Sequence, residues 1–282
     1  MQITKVTGSL GAEVRGIDLA QPLDAAAVQT VKEALQQHQV LFFREQNKLT
    51  VDEHVRFAQY FGDIDLPYFR TASSTRDEVL VLDQVEPKGE GADSWHSDNT
   101  YMETPTMGSI LQAHQLPETG GDTCFSSMTA AYNALSPAMQ KFLDGLTAIH
   151  SLEQMVNRTR HVVRTLRDAV EKWPPVAHPV IRVHPETGAK LLNVNKNWTV
   201  RIVELKQEES EALLRMLYEH VKTPDFQVRL RWNLHDIAFW DNRVVQHYAV
   251  PDYKTRRVMQ RVTIKGDRPV GPAQQVSKLA AE

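Results

Sequence analysis

The sequence contains almost no cysteine and no long hydrophobic run. Cys124 is the only cysteine among 282 residues, so no intrachain disulfide can form and no thiolate cluster can hold zinc or an iron–sulfur centre. No apolar stretch approaches the roughly 18 residues that a transmembrane helix requires, and residues 1–15 lack the basic and apolar regions of a signal peptide. We therefore expect a cytoplasmic protein without a membrane partner.

Positive charge is not concentrated anywhere in the chain. The 32 Lys and Arg residues face 35 Asp and Glu residues, for a formal net charge of −3, so no basic surface is available to track phosphates. We expect no nucleic-acid partner. The length and ordinary globular composition favour a single domain over residues 1–282, with helical and loop insertions around residues 50–76 and 130–175.

Helical patterns mark the N-terminal quarter and one later segment. Asp24 precedes apolar residues at helical spacing, which predicts a capped amphipathic helix leading into a strand at residues 40–43. Residues 50–53 form a capping box, and we expect Gly62 to close the helix that begins there. Another amphipathic helix is predicted over residues 207–221.

Short β-rich runs separated by Pro and Gly dominate the chain from residue 79 onward. They cover residues 79–83, 108–113, 180–184, 191–194 and 227–232. Such spacing is typical of a sandwich or barrel. The predicted fold is therefore mainly β with flanking helices, an α+β arrangement.

The first candidate metal motif is His96-Ser97-Asp98. Its aromatic and β-branched surroundings favour a strand, in which side chains at i and i+2 share a face. We therefore predict that His96 and Asp98 converge on one ion, with Thr100 further along the same face. One more imidazole would complete a two-histidine, one-carboxylate site, which leaves three adjacent positions open on iron(II).

A second group of polar residues lies near the C-terminal end. Residues 240–248 include His247, and a turn at residues 251–252 leads to a strand that carries Arg257 and Arg261. This pattern predicts a hairpin. Because a buried arginine requires an anionic partner, the two guanidinium groups indicate an acidic ligand.

In this order the motifs resemble the taurine/2,4-dichlorophenoxyacetate (TauD/TfdA) family of 2-oxoglutarate-dependent dioxygenases. The resemblance runs over nearly the whole chain, through residues 8–14, 95–98, 120–123, 240–242 and 247 to the arginine-rich strand. It implies a double-stranded β-helix, or cupin-like jelly roll. It also implies an enzyme that uses iron(II), 2-oxoglutarate and O2 to hydroxylate a small anionic molecule, releasing succinate and CO2.

The resemblance also implies a role for individual residues. The iron ligands would be two imidazoles and a carboxylate, those of His96, Asp98 and His247. Thr123 and Arg257 would hold the far carboxylate of 2-oxoglutarate, and Arg261 would face the anionic head of the substrate. The pair Gly120-Gly121 is expected only to turn the chain. The Trp240-Asp241-Asn242 motif is expected to position the strand that ends at His247, because a buried carboxylate commonly orients a metal ligand.

The substrate is expected to differ from taurine. Taurine-cleaving members carry a histidine in the loop equivalent to residues 66–76 and an asparagine shortly before the iron motif, and this chain has neither. Trp198 takes the place of a pocket phenylalanine, and with Tyr68 and Phe69 it would form an aromatic wall. Asn99 would add a backbone N–H and a polar side chain. An alkyl sulfonate, an alkyl sulfate ester or an aryloxyalkanoate fits these features.

Two other functions agree with the same residues. One is a metal-free jelly-roll module that binds a small carboxylate with the arginines, and the other is a zinc hydrolase with the same three ligands. His150, His178 and His184 are expected to be structural. We also expect a homo-oligomer, either a dimer or a tetramer.

Overall fold

The computed structural model describes residues 1–67, 73–74, 76–87, 94–154 and 171–272. Tyr68 and Phe69 lie outside the described residues. The α-helices within them are α1 (Ala25–His38), α2 (Val51–Gln59), α3 (Met128–Asn133), α4 (Pro137–Leu143) and α5 (Gln207–His220). None of the described helices is long and apolar enough to cross a membrane.

The strands of the described residues are numbered in chain order. They are β1 (Gln2–Lys5), β2 (Ala12–Arg15), β3 (Val40–Phe43), β4 (Ile64–Asp65), β5 (Leu80–Gln84), β6 (Gly108–Gln115), β7 (Thr123–Ser127), β8 (Thr147–His150), β9 (Val176–Pro179), β10 (Ile181–Val183), β11 (Lys190–Leu192), β12 (Thr199–Ile202), β13 (Gln227–Leu230), β14 (Ile237–Asp241), β15 (Val245–Ala249) and β16 (Arg257–Ile264). Each of the five predicted β-rich runs overlaps one of these strands.

The first two helices begin where the capping signals predicted. Asp24 accepts a hydrogen bond from the Ala27 N–H at the start of α1, and a reciprocal capping box of Thr50 and Glu53 starts α2. The predicted end of α2 at Gly62 is wrong. The helix ends at Gln59 because the following N–H groups bond to carbonyls three residues back, which tightens the last turn.

Two sheets face one another and enclose the main core. The larger sheet has eight strands in the order β1-β2-β3-β14-β6-β16-β4, with β5 beside β16, and the smaller has the order β13-β7-β15. Phe125 of the smaller sheet packs against Phe42 and Trp240 of the larger one, with ring centroids 5.8 and 5.6 Å apart. The chain is mainly β with flanking helices, and these facing sheets form the expected jelly roll.

The larger sheet is buried on both faces. Val40 and Phe42 of β3 belong to the core between the sheets, whereas Leu41 and Phe43 pack on the other face with residues of α1 and α2. Because successive side chains of a strand alternate in direction, a continuous apolar strand such as β3 serves both layers. The helices thereby leave the space between the sheets for the site.

The hairpin predicted near the C-terminal end is wrong. Among the described residues β15 pairs with β7 in the smaller sheet, while β16 pairs with β4, β5 and β6 in the larger one. Residues 250–256 therefore carry the chain from one sheet to the other. A turn signal between two strand patterns cannot distinguish a hairpin from such a crossing. The crossing places His247 in the smaller sheet and β16, with Arg257 and Arg261, in the larger one.

Candidate active site

His96 and His247 are neighbours through their backbones. His96 donates its N–H to the His247 carbonyl at 3.1 Å, and His247 donates its N–H to the His96 carbonyl at 2.8 Å. This isolated antiparallel bridge places the two imidazole centroids 4.2 Å apart. His247 belongs to β15, so the smaller sheet sets the position of the pair.

Asp98 completes a cluster of three candidate ligands. Its Oδ1 lies 3.6 Å from Nε2 of His96 and 3.8 Å from Nε2 of His247, and one ligand atom of each residue lies within 4.8 Å of the others. All three side chains are buried. Nδ1 of His96 lies 2.7 Å from the Ser94 carbonyl, a contact that requires the proton on Nδ1 and leaves Nε2 with a free lone pair.

The second carboxylate oxygen of Asp98 is held by hydrogen bonds. Ser109 Oγ and Arg261 Nη1 each donate to Oδ2 at 3.0 Å, which leaves Oδ1 directed towards the imidazoles. Burial alone would raise the pKa of Asp98, but the charge of Arg261, with smaller contributions from His247 and His96, holds it well below its usual value. The carboxylate is therefore ionised, as a metal ligand must be.

His247 is held in its neutral form. Burial, with the charge of His96, lowers the pKa of His247 to about 3. A neutral imidazole and an ionised carboxylate are the protonation states that bind a cation. The donor set of two nitrogens and one oxygen is the one that non-haem iron(II) sites use, and it also occurs in catalytic zinc sites.

The strand predicted around His96-Ser97-Asp98 is wrong beyond His96. Asp98 begins a turn and Asn99 has a φ of +57°, so Thr100 does not continue the face of the candidate ligands. Instead, its hydroxyl contacts Nδ1 of His150 at 2.9 Å and accepts from Asn195 at 3.0 Å. The start of the turn is held by Asn242, whose side chain bonds both the N–H and the carbonyl of Asp98.

Asn242 is a supporting residue that sequence reasoning missed. Its Oδ1 accepts the Asp98 N–H at 2.7 Å, and its Nδ2 donates to the carbonyls of Asp98 and Thr106 at 2.9 and 3.0 Å. The sequence predicted that the Trp240-Asp241-Asn242 motif positions the strand of His247, and it did not predict the bonds from Asn242 to Asp98. The carboxylate of Asp241 accepts from Arg243 and contacts His184 at 3.0 Å.

Arg257 has an unused donor in a buried position. Its Nε donates to the Gly121 carbonyl at 3.0 Å, while Nη2 is buried without a hydrogen-bond partner among the described residues. Burial lowers the pKa of Arg257, yet a guanidinium stays charged in proteins. A buried cation with a free donor is costly unless an anion meets it, so this position fits a carboxylate ligand.

Thr123 lies at the start of β7 and is buried. Its Oγ1 accepts from the indole N–H of Trp232 at 3.0 Å. A threonine hydroxyl that accepts one bond still has its own proton to donate. The side chain can therefore donate to an anion, as the role predicted for it requires.

Arg261 contacts one of the three candidate ligands, Asp98, directly. Besides the bond from Nη1 to Asp98, it has a buried Nε with no partner among the described residues, and 18% of its side chain is exposed. The guanidinium thus has donors left for a second anion beside the three candidate ligands. Its role towards the substrate remains a prediction.

Two other predicted substrate residues have buried polar contacts. Asn99 donates its side-chain amide to Thr106 Oγ1 at 3.0 Å. Trp198 donates its indole N–H to the Ser97 carbonyl at 2.9 Å and packs on Tyr101 with centroids 4.8 Å apart. Both therefore support the turn that follows His96, and contact of either with a substrate remains a prediction.

Comparison with known proteins agrees with this geometry. The family model of the taurine catabolism dioxygenase TauD, TfdA family matches residues 2–263. The chain is 38% identical to an alkylsulfatase of Acinetobacter baylyi, covering 96% of this chain and 87% of that protein. It is 36% identical to an alpha-ketoglutarate-dependent sulfate ester dioxygenase of Pseudomonas putida, covering 99% and 94%. A crystal structure of a taurine dioxygenase from Burkholderia xenovorans is similar with a TM-score of 0.82 and 35% identity, covering 97% and 93%.

Proposed function

The chain belongs to the TauD/TfdA family, and from this premise we propose that it is an iron(II)- and 2-oxoglutarate-dependent dioxygenase that hydroxylates a small anionic organic substrate. The observation that supports this most is the buried cluster of His96, Asp98 and His247, whose ligand atoms lie within 4.8 Å of one another. Two imidazoles and one carboxylate on one side of an ion leave positions for a co-substrate and O2. Bound iron(II) would supply the oxygen activation that couples decarboxylation of 2-oxoglutarate to hydroxylation.

The protein contributes position and protonation state. Ser109 and Arg261 fix Asp98 Oδ2, which leaves Oδ1 as the oxygen that would bind the metal. Ser94 sets the tautomer of His96. Because the three side chains are buried, bulk water has little access to the metal position, which protects the reaction from competing hydrolysis.

Arg257 and Thr123 would bind 2-oxoglutarate at its far carboxylate. The buried and unpaired Nη2 of Arg257 and the free hydroxyl proton of Thr123 are donors suited to that group. The keto acid end would then reach the metal. Both residues come from strands that face each other across the core, β7 and β16, so the co-substrate would lie between the sheets.

Arg261 would hold the anionic head of the substrate beside the metal. Relatives named as an alkylsulfatase and a sulfate ester dioxygenase make an alkyl sulfate ester the first candidate, ahead of an alkyl sulfonate or aryloxyalkanoate. Hydroxylation of the carbon that carries the sulfate oxygen gives a hemiacetal-type product, which collapses to an aldehyde and sulfate. Trp198, Tyr68 and Phe69 remain the predicted aromatic wall of the pocket, and Asn99 remains a predicted polar contact to the substrate.

One experiment separates this function from the alternatives. Anaerobic addition of iron(II) and 2-oxoglutarate to the purified protein should produce a weak visible charge-transfer band. A panel of sulfate esters, sulfonates and aryloxyalkanoates is then scored for succinate formation and O2 uptake. A metal-free binding module would show no band, and a zinc hydrolase would turn over its substrate without 2-oxoglutarate.

Two further expectations are kept as proposals. We propose that the enzyme is a dimer or tetramer, which light scattering after size exclusion tests. We also propose a reducing, cytoplasmic setting, in which the buried free thiol of Cys124 stays unpaired. Neither proposal affects the assignment of the site.

A further inference from the structure

The turn formed by Gly120 and Gly121 packs closely against two side chains, those of Asp252 and Arg257. Both glycines have positive φ, +81° and +73°. A Cβ on Gly120 would lie 2.5 Å from Oδ1 of Asp252, and a Cβ on Gly121 would lie 3.0 Å from Cδ of Arg257. The turn therefore requires glycine for its backbone angles and for the close approach of two other side chains.

Asp252 and Arg257 are connected through one residue of this turn. Asp252 Oδ1 accepts the N–H of Gly121 at 2.8 Å, and the carbonyl of Gly121 accepts from Nε of Arg257 at 3.0 Å. The two bonds use the N–H and the carbonyl of the same residue, Gly121. Movement of Gly121 relative to Asp252 would consequently change the position of the Arg257 guanidinium.

The location of Asp252 strengthens this connection. It lies in the segment that carries the chain from β15 to β16, five residues after His247 and five residues before Arg257. The next residue, Tyr253, is buried, and its ring centroid lies 5.9 Å from Cζ of Arg257. The hydrogen bond between Asp252 and Gly121 thus also restrains the start of β16, where Arg257 lies.

We infer that Asp252 is a positioning residue for 2-oxoglutarate binding. Through Gly121 its carboxylate holds Nε of Arg257, so that the unpaired Nη2 is presented to the far carboxylate of the co-substrate. The inference rests on the proposed function, in which Arg257 binds that carboxylate. Asp252 itself does not touch the co-substrate.

The selectivity between two keto acids provides the test. 2-Oxoglutarate and 2-oxopentanoate share the keto acid end, but 2-oxopentanoate has no far carboxylate. The dissociation constants of both are measured anaerobically with iron(II) from the visible band. Asp252→Ala should weaken 2-oxoglutarate binding roughly tenfold, by analogy with residues that orient metal ligands, and leave 2-oxopentanoate binding unchanged.

Two variants serve as matched controls. Asp252→Asn keeps an oxygen that accepts the Gly121 N–H and should restore most of the affinity for 2-oxoglutarate. Arg229→Gln removes the contacts of Arg229 with Asp122 and with Oδ2 of Asp252 and leaves the bond to Gly121, so its affinities should equal those of the parent. Melting temperatures verify that each variant is folded.

The outcomes are distinguishable. Equal 2-oxoglutarate affinity in Asp252→Ala and the parent overturns the positioning role. So does an equal loss for both keto acids, because that pattern reports general loosening of the site. A parent protein that does not prefer 2-oxoglutarate over 2-oxopentanoate overturns the assignment of Arg257, and with it the proposed function at this position.

Discussion

His96 and His247 are far apart in the chain, yet they exchange two backbone hydrogen bonds and bring their imidazole centroids to 4.2 Å. The bridge uses main-chain atoms, so it does not depend on the imidazoles themselves. Replacement of either side chain should therefore remove a metal ligand without opening the bridge.

The first prediction concerns these two side chains. His96→Ala or His247→Ala should abolish the anaerobic band formed with iron(II) and 2-oxoglutarate, because two of three ligands cannot hold the ion firmly. The melting temperature should show that the protein remains folded. His220→Gln is the control, since His220 contacts the Ala131 carbonyl on α3. A band of normal intensity in either alanine variant contradicts the assignment.

The second prediction concerns the amide that holds Asp98. Asn242→Asp keeps an acceptor for the Asp98 N–H but removes the donor to two buried carbonyls. Iron(II) affinity should fall roughly 10- to 100-fold, and the free energy of unfolding should fall by about 1–3 kcal/mol. Both are measured by anaerobic titration and denaturant melts. Asn193→Asp, which loses a bond to the Pro179 carbonyl away from the site, should leave the iron affinity unchanged.

The third prediction separates the two arginines. Arg261→Lys should weaken the binding of both the substrate and iron(II). Lysine cannot keep the bond to Asp98 and at the same time present a fork of donors to a second anion. Arg257→Lys should raise the KM for 2-oxoglutarate and leave the iron affinity alone. Steady-state kinetics with each ligand varied and metal titrations test this. If both variants raise the same single constant, the division of roles is wrong.

The fourth prediction uses two indole donors. Trp198→Phe loses the bond to the Ser97 carbonyl and should lower the free energy of unfolding by about 1 kcal/mol, with a higher KM for the substrate. Trp232→Phe loses the bond to Thr123 and should raise the KM for 2-oxoglutarate instead. If Trp198→Phe raised the KM for 2-oxoglutarate and Trp232→Phe raised the KM for the substrate, the assignment of these two residues would be wrong.

The fifth prediction concerns stability at acid pH. Burial, with the charge of His114, lowers the pKa of His54 to about 3, and its Nδ1 lies 3.0 Å from the Gln260 amide. Between the unfolded pKa near 6.5 and about 3, the unfolded chain binds the proton and the folded protein does not. The stability that the neutral ring provides is therefore complete above pH 6.5 and is lost as the pH falls.

His54→Gln tests this directly, because glutamine retains an acceptor for Gln260 but does not titrate. Between pH 7 and pH 5 the parent should lose about 2 kcal/mol more unfolding free energy than the variant. Urea melts at the two pH values measure the difference. Parallel losses in the two proteins would mean that His54 is not buried in its neutral form.

Local signals were sufficient for most elements of the fold. The caps at Asp24 and Thr50 and the continuous apolar strand at residues 40–43 depend on neighbours within a few residues, and the structure confirms them. The hairpin after His247 and the helix end at Gly62 were wrong. Each depends on which strand or turn the segment meets, and that partner is distant in the chain.

The sequence by itself determined the kinds of side chain available for the site: two histidines and a carboxylate for a metal, and two arginines for anions. It also determined the family, because the motifs occur in order. Only the tertiary structure decided which groups meet. Asn242 holds Asp98, and Thr100 turns towards His150. Hydrogen bonds between distant segments are set by strand register and sheet packing, which spacing along the chain does not encode.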